Sequence, residues 1–242
     1  MQRNFDHLIG PDAPRRVGRR FWHWCLRLLI FVLVRIDQQG IENLPEDGPV
    51  LLYYNHIHYV DPFVIIGLLR GKRYVVPIAK TELSTGPVIG QWVSWFGAIF
   101  VERGEVDISA ARAGLAVLKN GDVLMVAPEG TRNKVDQSLQ KAQPGMGMFV
   151  RRTDALLQPV AIWGTPSFPG DFKHFRRPVF HIRYGQPFRV IIPSDVPRRE
   201  ADELISDLAM EQLAALLPQT MYGVYPPRQE PHPWLIPVGV EE

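Results

Sequence analysis

Short apolar runs alternate with longer stretches along most of the chain, and this alternation predicts strands and helices in turn. The runs that we predict as strands lie at 49–52, 73–79, 97–101, 123–127, 156–162 and 179–184. The stretches that we predict as helices lie at 63–70, 109–119 and 198–217. Strands that alternate with helices are typical of an α/β fold whose sheet is covered on both faces.

Both ends of the chain depart from this pattern. Residues 1–35 form a basic amphipathic segment and residues 218–242 a proline-rich tail, which leaves 36–217 as the α/β domain. We predict that 218–237 wrap the surface without regular structure. Pro159 lies inside a predicted strand, which indicates an edge or a bulge. A Trp-rich segment at 86–97 is predicted to line an apolar pocket, to contact lipid or to belong to the core.

The N-terminal segment contains a predicted helix from Arg15 to Ile36 with two different faces. The basic face consists of Arg16, Arg20, His23 and Arg27, and the apolar residues away from it are Val17, Phe21, Trp24, Cys25, Leu28 and Val32. The uninterrupted apolar part, 28–34, is far shorter than the ~20 residues that span a bilayer. We therefore predict a helix that lies on a membrane surface, although packing on its own domain would give the same pattern.

Composition and charge narrow the class of protein. A chain of 242 residues with 46% hydrophobic and 21% charged residues is typical of one globular domain with a core. The single cysteine, Cys25, excludes an internal disulfide and a thiol cluster for a metal. Residues 1–35 carry a net charge of +5 within a chain of net charge +2. A basic end on a mildly acidic body indicates an anionic partner, either a membrane surface or nucleic acid.

Candidate chemistry begins in the connection between the first predicted strand and the first helix of the domain, which contains His56, His58 and Asp61. Asp61 precedes Pro62, as an N-cap residue precedes a proline at the first helical position. On one continuous helix His56 and Asp61 would point about 140° apart, so they can meet only if the chain turns between them. A His–Asp pair orients imidazole as a general base. The alternative is that Asp61 is only a cap and both histidines are surface residues.

Two further groups follow predicted strands. Arg103 comes after the strand at 97–101, where an arginine is well placed to reach an anionic ligand. The segment Pro128–Arg132 follows the strand at 123–127. At the end of that strand it places the carboxylate of Glu129, the backbone of Gly130, the hydroxyl of Thr131 and the guanidinium of Arg132. The acid and the base there form either a structural ion pair or a site for a hydroxylated, phosphorylated substrate.

Four blocks of the sequence, taken in order, resemble the motifs of the glycerolipid acyltransferase family, of which lysophosphatidate acyltransferase is typical. The blocks are Asn55-His56-(four residues)-Asp61, Gly97–Arg103, Pro128–Arg132 and Gln158–Ile162. The resemblance covers about residues 35–165, and Lys141 fits the loop after the third block more loosely. One position departs from the family pattern, because His58 stands where serine or another small polar residue is more usual.

This resemblance implies a mixed, largely parallel sheet flanked by helices. It implies transfer of a fatty acyl group from acyl-CoA or acyl-carrier protein to the hydroxyl of a lysophospholipid, lysophosphatidate being the expected acceptor. It gives the base role to His56, the orienting role to Asp61, and acceptor contacts to Arg103, Glu129, Gly130, Thr131, Arg132 and Lys141, with His58 as a possible modulator.

The resemblance further implies no cofactor, no metal and no nucleic acid. It implies a monotopic enzyme on an anionic membrane surface, at the cytoplasmic face. Three alternatives stay open: another lysolipid or a glycolipid as acceptor, a metal-dependent hydrolase suggested by the His56-x-His58 pair, and a catalytically silent membrane-binding protein.

Overall fold

The computed structural model describes residues 16–69, 73–81, 97–101, 107–174, 176–228 and 230–238, with side chains described for these except 16–20 and 172. The strands are β1 (Arg35–Gln39), β2 (Val50–Tyr54), β3 (Val75–Lys80), β4 (Ile99–Val101), β5 (Val123–Val126), β6 (Leu156–Trp163), β7 (Val179–Tyr184), β8 (Phe188–Val190) and β9 (Leu235–Pro237). The helices are α1 (Arg16–Leu33), α2 (Asp61–Leu68), α3 (Ile108–Lys119), α4 (Gly145–Arg152), α5 (Gly170–Lys173) and α6 (Arg198–Ala214), with 3₁₀ turns at Ile41–Asn43, Thr165–Ser167 and Gln219–Met221.

The described strands form one mixed sheet in the order β1-β7-β6-β2-β5-β3-β4, with β8 and β9 added beside β6. Neighbours from β6 through β2, β5 and β3 to β4 run parallel. β7 and β8 run antiparallel to β6, and β9 runs antiparallel to β8. The predicted mixed, largely parallel α/β sheet is therefore confirmed.

Helices cover both faces of the sheet. On one face, buried side chains of α3, α4 and α6 pack on the residues of β2 and β5 that point to that side, such as Leu51 and Leu124. On the other face, α1 and α2 pack on the alternate residues, such as Leu52 and Met125. Because β2 and β5 are buried on both faces, they have no polar alternation, as is usual for parallel strands.

Helix α1 is shorter than predicted and is apolar on two sides. It ends at Leu33 and β1 begins at Arg35, where the sequence predicts helix to Ile36. The guanidinium of Arg177 donates to the carbonyls of Phe31 and Val34 and so satisfies groups that a helix end leaves unpaired. Leu26 and Ile30 are buried in the cluster that includes α2, so the predicted alternative, packing on the domain, holds for this side.

A second set of apolar side chains on α1 is exposed. It includes Phe21, Trp24, Leu28 and Val32, of which Trp24 is 61% exposed. These four belong to the predicted apolar face. The helix therefore exposes apolar surface to solvent even though its other side packs on the domain. No helix among the described residues is long and apolar enough to cross a bilayer.

The prediction that Pro159 lies at an edge or a bulge is wrong. Pro159 lies in the central strand β6, which β2 flanks on one side. On the other side the neighbour of β6 changes from β8 at Leu157 to β7 at Val160, so Pro159 occupies a junction between two ladders and its missing N–H is not needed there.

The tail is also more ordered than predicted. Met221 and Tyr225 are buried in the core, and β9 joins the sheet through β8. Its apolar and aromatic residues offset the proline content, because they bury surface that a purely polar tail would leave in water.

The parallel strands bring the candidate residues to one edge. His56 follows β2, Glu129 follows β5 and Thr165 follows β6, and β2 lies between β5 and β6. The carboxyl ends of these strands therefore meet at one edge of the sheet, where open α/β sheets bind their ligands. The Trp-rich segment 86–97 up to Phe96, and Arg103, lie outside the described residues.

Candidate active site

His56 and Asp61 meet across the turn between β2 and α2. Nδ1 of His56 lies 3.0 Å from Oδ2 of Asp61, so the predicted meeting of the two side chains is confirmed. A carboxylate can only accept hydrogen bonds, so Nδ1 carries the proton and Nε2 keeps its lone pair. The His56 side chain is 16% exposed while Asp61 is fully buried. An imidazole held in this way can take a proton from a bound hydroxyl group.

Asp61 is not the N-cap residue that its place before Pro62 predicts. Val60 is the N-cap, and Asp61 is the first residue of α2. Its carboxylate turns back from the helix, and Oδ2 accepts the backbone N–H groups of Ile57 at 2.8 Å and His58 at 2.7 Å. Asp61 therefore fixes the turn that presents the imidazole, as well as the imidazole itself.

The other carboxylate oxygen of Asp61 is held by Thr165, a residue that the sequence analysis missed. The hydroxyl of Thr165 donates to Oδ1 of Asp61 at 2.6 Å, and Thr165 is fully buried. A bond of this length between a hydroxyl and a carboxylate is a charge-assisted hydrogen bond. Thr165 lies three residues beyond the fourth block, so following that block into the next turn could have found it.

Asn55 ties the two strands that carry these residues together. Its side chain donates to the carbonyl of Ile162 at 2.8 Å and accepts the N–H of the same residue at 2.8 Å. Asn55 is 1% exposed, so both bonds are sheltered from water. This pairing fixes the end of β2 against β6, and with it the relative positions of His56 and Thr165.

Glu129 contacts the backbone of His56. Its Oε1 accepts the His56 N–H at 3.0 Å and its Oε2 accepts the Gln140 N–H at 3.3 Å. Burial raises the pKa of Glu129 to about 7, against the two backbone hydrogen bonds, which lower it. Both carboxylate oxygens of Glu129 therefore bind main chain, and the acceptor contact that the resemblance implies for Glu129 stays a prediction. The N–H of Asn133 donates to the carbonyl of His56 at 3.0 Å, so the same loop holds His56 on both sides.

The rest of the third block lines the same edge. Gly130 has a φ of +68°, which a residue with a side chain rarely adopts, and its N–H donates to the carbonyl of Ala127 at 3.0 Å. Thr131 is exposed and Arg132 is half-buried. The charge of Arg132 reaches the site, because it is among the causes that lower the pKa of His58.

Lys141, which the resemblance gives as an acceptor contact, has an ion-pair partner within the protein. Its ammonium group donates to both carboxylate oxygens of Asp207 in α6, at 2.8 and 2.6 Å. The side chain of Lys141 is 69% exposed, so the ion pair itself contributes little to stability. The geometry assigns Lys141 to anchoring the loop that follows the third block.

His58 lies beside the His56–Asp61 pair with a buried ring nitrogen. Its Nδ1 has no hydrogen-bond partner among the described residues, and its ring stacks at a tilt on Tyr59 with 4.3 Å between centroids. Burial lowers the pKa of His58, and the charges of Arg132 and His56 lower it further, against the opposing effect of Asp61. His58 is therefore biased toward the neutral form.

An apolar cavity of about 210 Å³ opens next to the turn. Tyr59 and Val60, which lie between His56 and Asp61 in the chain, form part of its wall. The remaining lining side chains come from α1 and the residue after it, from α2, from the turn after β6 and from β7; they are Leu26, Leu29, Ile30, Leu33, Val34, Phe63, Val64, Phe168 and Phe180. The cavity exceeds the roughly 150 Å³ that holds a benzene molecule in an engineered protein, so it can hold part of a hydrocarbon chain.

Metal ligation finds no support in the described part of the chain, which contains no group of three or more His, Cys, Asp or Glu side chains placed to hold an ion. What the geometry offers is an oriented imidazole with a free nitrogen, a half-buried guanidinium and an apolar cavity. This set fits proton abstraction from an alcohol that carries both an anionic group and an alkyl chain.

Comparison with known proteins agrees with this geometry. A model of the protein family described as acyltransferase matches residues 35–163. A chloroplastic 1-acyl-sn-glycerol-3-phosphate acyltransferase from Brassica napus is 28% identical over 157 residues, covering 62% of this chain and 44% of the relative. A 1-acyl-sn-glycerol-3-phosphate acyltransferase from Pseudomonas aeruginosa is 27% identical over 197 residues, covering 74% of each chain.

A solved structure has the same fold. The crystal structure of the 1-acyl-sn-glycerophosphate acyltransferase PlsC from Thermotoga maritima superposes with a TM-score of 0.59 at 23% identity, covering 86% of this chain and 85% of that one. Matches to the first three curated relatives span 44%, 58% and 63% of their lengths.

Proposed function

The chain belongs to the acyltransferase family, and we propose that it transfers a fatty acyl group from a thioester to the free hydroxyl group of lysophosphatidate, giving phosphatidate. The observation that carries this proposal is the His56–Asp61 pair, held by the turn whose residues Tyr59 and Val60 line an apolar cavity. The relatives whose names specify 1-acyl-sn-glycerol-3-phosphate as acceptor support the choice of acceptor.

The proposed reaction is one direct transfer. Nε2 of His56 takes the proton of the acceptor hydroxyl while the oxygen attacks the carbonyl carbon of the thioester. The C–S bond then breaks, and the thiolate leaves with the proton that the imidazolium returns. Asp61 stabilises the imidazolium in between. Atoms and charges balance with the acyl thioester and the alcohol alone, so the reaction as proposed uses no cofactor. The thioester is either acyl-CoA or acyl-carrier protein.

The proposed phosphate contacts are Arg132 and Arg103. Arg132 is half-buried and lies near enough to His58 for its charge to act there. A guanidinium matches the geometry of a phosphate group through paired N–H donors. We propose that these two arginines orient the acceptor so that its hydroxyl faces His56.

The proposed site for an acyl chain is the apolar cavity. All of its lining side chains are apolar or aromatic, and α1 supplies four of them. Burying a hydrocarbon chain contributes about 0.8 kcal/mol per CH₂ group, so even a short segment of chain in the cavity would contribute measurably to binding. The same helix that lines the cavity also carries the exposed apolar face.

That face supports a membrane location, and we propose that the protein binds a bilayer monotopically from the cytoplasmic face. Phe21 and Trp24 are 59% and 61% exposed, which suits insertion at an interface. Basic side chains stand within and beside the exposed stretch. Arg27 is exposed between Trp24 and Leu28, and Lys173 and Arg176 are exposed in the segment beside Arg177, which binds the C-terminal end of the helix. Their charges would add attraction to anionic lipid.

Acceptor specificity tests the proposal. The purified protein is incubated with acyl-CoA or acyl-carrier protein and a panel of lysophosphatidate, other lysophospholipids, a lysoglycolipid and monoacylglycerol, and the products are identified by mass spectrometry. We expect phosphatidate as the main product. Acylation of another lysolipid alone would move the proposal to that acceptor, and no acylation of any acceptor would overturn it in favour of a silent membrane-binding protein.

A further inference from the structure

The C-terminal tail contacts the loop that follows the third block through a short segment, residues 219–225, here called the C-terminal clamp. It begins with the 3₁₀ turn Gln219–Met221 and ends at Tyr225, which is 5% exposed. Nothing in the proposed chemistry requires a group from this part of the chain, yet its contacts lead back to His56 in a short series of hydrogen bonds.

The clamp binds the loop first at Leu139. The N–H of Leu139 donates to the carbonyl of Met221 at 2.9 Å, and the carbonyl of Leu139 accepts the N–H of Val224 at 3.3 Å. Gly223 permits this approach, because it has a φ of +56° and a Cβ at this position would lie 2.1 Å from the Leu139 carbonyl oxygen. Both backbone polar groups of Leu139 are therefore satisfied by the clamp.

The hydroxyl of Tyr225 makes the second contact. It accepts the N–H of Ala142 at 2.9 Å and donates to Oδ1 of Asp207 at 2.6 Å. Burial raises the pKa of the Tyr225 hydroxyl well above its usual value, so the group stays protonated and keeps both bonds. Asp207 is in turn bound by Lys141, which completes a cluster that joins α6, the loop and the clamp.

The stretch of loop held by the clamp is the one that binds the third block. Gln140, between Leu139 and Ala142, donates its N–H to Oε2 of Glu129 at 3.3 Å. The other oxygen of Glu129 accepts the N–H of His56 at 3.0 Å. The position of the imidazole thus depends on a carboxylate whose second hydrogen bond comes from a backbone that the clamp fixes.

We propose that Tyr225 is a positioning residue of the active site, whose hydroxyl group holds the 139–142 backbone in the place where it supports Glu129 against the main chain of His56. The expected effect on acyl transfer rests on the proposed function, whereas the expected effect on the position of the 139–142 backbone and His56 does not. Without the hydroxyl, the buried N–H of Ala142 has no partner and the loop is free to move, so the support of Glu129 weakens.

The test compares Tyr225→Phe with Tyr222→Phe. Both changes remove one hydroxyl from the clamp and keep the ring, but the hydroxyl of Tyr222 has no hydrogen-bond partner in the part of the chain that the structure describes. Amide hydrogen exchange is measured on both variants. We expect exchange at Gln140, Ala142 and His56 to become about 10-fold faster in Tyr225→Phe, as for the loss of one buried hydrogen bond, and to stay unchanged in Tyr222→Phe.

Acyl transfer is then measured against pH. In Tyr225→Phe we expect kcat to fall about 10-fold and the rising limb of the pH profile to move to higher pH. The hydrogen bond from Gln140 lowers the pKa of Glu129, whereas burial and the charge of Asp61 raise it. Loss of this bond therefore raises the pKa of Glu129, and the limb moves to higher pH. Tyr54 also feels the Glu129 charge, and burial raises the pKa of its hydroxyl, so it stays neutral.

Two outcomes would overturn the inference. One is a Tyr225→Phe protein whose exchange and kcat match those of Tyr222→Phe. The other is a uniform rise in exchange over the whole domain, β2 included, with an unmoved pH profile, which would mean that Tyr225 only stabilises the fold. If the parent protein transfers no acyl group at all, the proposed function fails while the exchange comparison still decides whether the clamp holds His56.

Discussion

Replacing Thr165 by valine tests whether the orientation of Asp61 controls catalysis. Valine keeps the branched shape of threonine and removes the hydroxyl that donates to Oδ1 of Asp61 at 2.6 Å. Both residues are fully buried, so water cannot replace the lost donor. A hydrogen bond to a charged group contributes about 1.5–3 kcal/mol, which corresponds to a factor of about 10 to 150 at 1.4 kcal/mol per decade.

The loss should appear in two places. We expect the free energy of unfolding to fall by about 1–3 kcal/mol, because a buried carboxylate oxygen is left without a partner. We expect kcat to fall at least about 10-fold, because Asp61 can rotate away from His56 and the imidazole loses its fixed tautomer. KM for the acceptor should change little, since Thr165 binds Asp61 and is not among the proposed acceptor contacts.

The assay is thiol release from acyl-CoA in the presence of lysophosphatidate, with kcat and KM determined separately, alongside urea unfolding of the same preparations. Thr165→Ser is the matched control, because it keeps the hydroxyl and should retain most of the activity. A Thr165→Val enzyme with unchanged kcat would refute the reasoning, and would show that the three bonds to Oδ2 suffice to hold the carboxylate.

The remaining predictions concern the base, the phosphate contacts and the buried acid. His56→Ala should lower acyl transfer by at least ~100-fold with the fold intact, while His58→Ser should keep substantial activity; the reverse order in kinetic assays would make His58 the base. Arg132→Ala and Arg103→Ala should each lower kcat/KM for a phosphorylated acceptor about 10- to 150-fold, and equal losses on a phosphate-free acceptor would exclude phosphate binding. Because its pKa is raised from 4.5 to about 7 in the folded state, Glu129 should make the free energy of unfolding fall as pH rises from 4.5 to 7. Unfolding curves of Glu129→Gln should show a smaller fall over this interval, and an equal fall would assign the effect to other groups.

Local patterns were sufficient to predict that His56 and Asp61 can meet across a turn. His56 and Asp61 are five residues apart, and the turn that joins them is bounded by a buried strand and a proline at the start of a helix. What the sequence did not reveal is that Asp61 accepts the backbone N–H groups of the turn before the helix, in place of capping the helix. An aspartate side chain can bind backbone groups on either side of a helix start, so its position alone does not decide between the two. The largely parallel α/β class was predicted, whereas the strand order that places β2 between β5 and β6 comes from the structure alone.

The parts that were missed depend on contacts between distant segments. Thr165 and Asp61 are separated by 104 positions, and apart from its place three residues beyond the fourth block, Thr165 resembles an ordinary turn threonine. Tyr225 lies in a proline-rich tail whose composition favours irregular structure, whereas its burial is decided by the core that it meets. Lys141 fits the loop of the family motif, but its partner Asp207 lies in α6 and could not be identified from sequence spacing.

The most direct test of the account follows the acyl group itself. Acyl-CoA labelled in the acyl chain is mixed with lysophosphatidate and either the parent protein or His56→Ala, and labelled products are separated by mass spectrometry while free thiol is counted. The account predicts that each thiol released by the parent protein corresponds to one labelled acyl group in phosphatidate, and that His56→Ala releases little of either. Thiol release matched by labelled free fatty acid would contradict it, because the protein would then hydrolyse the thioester instead of transferring its acyl group.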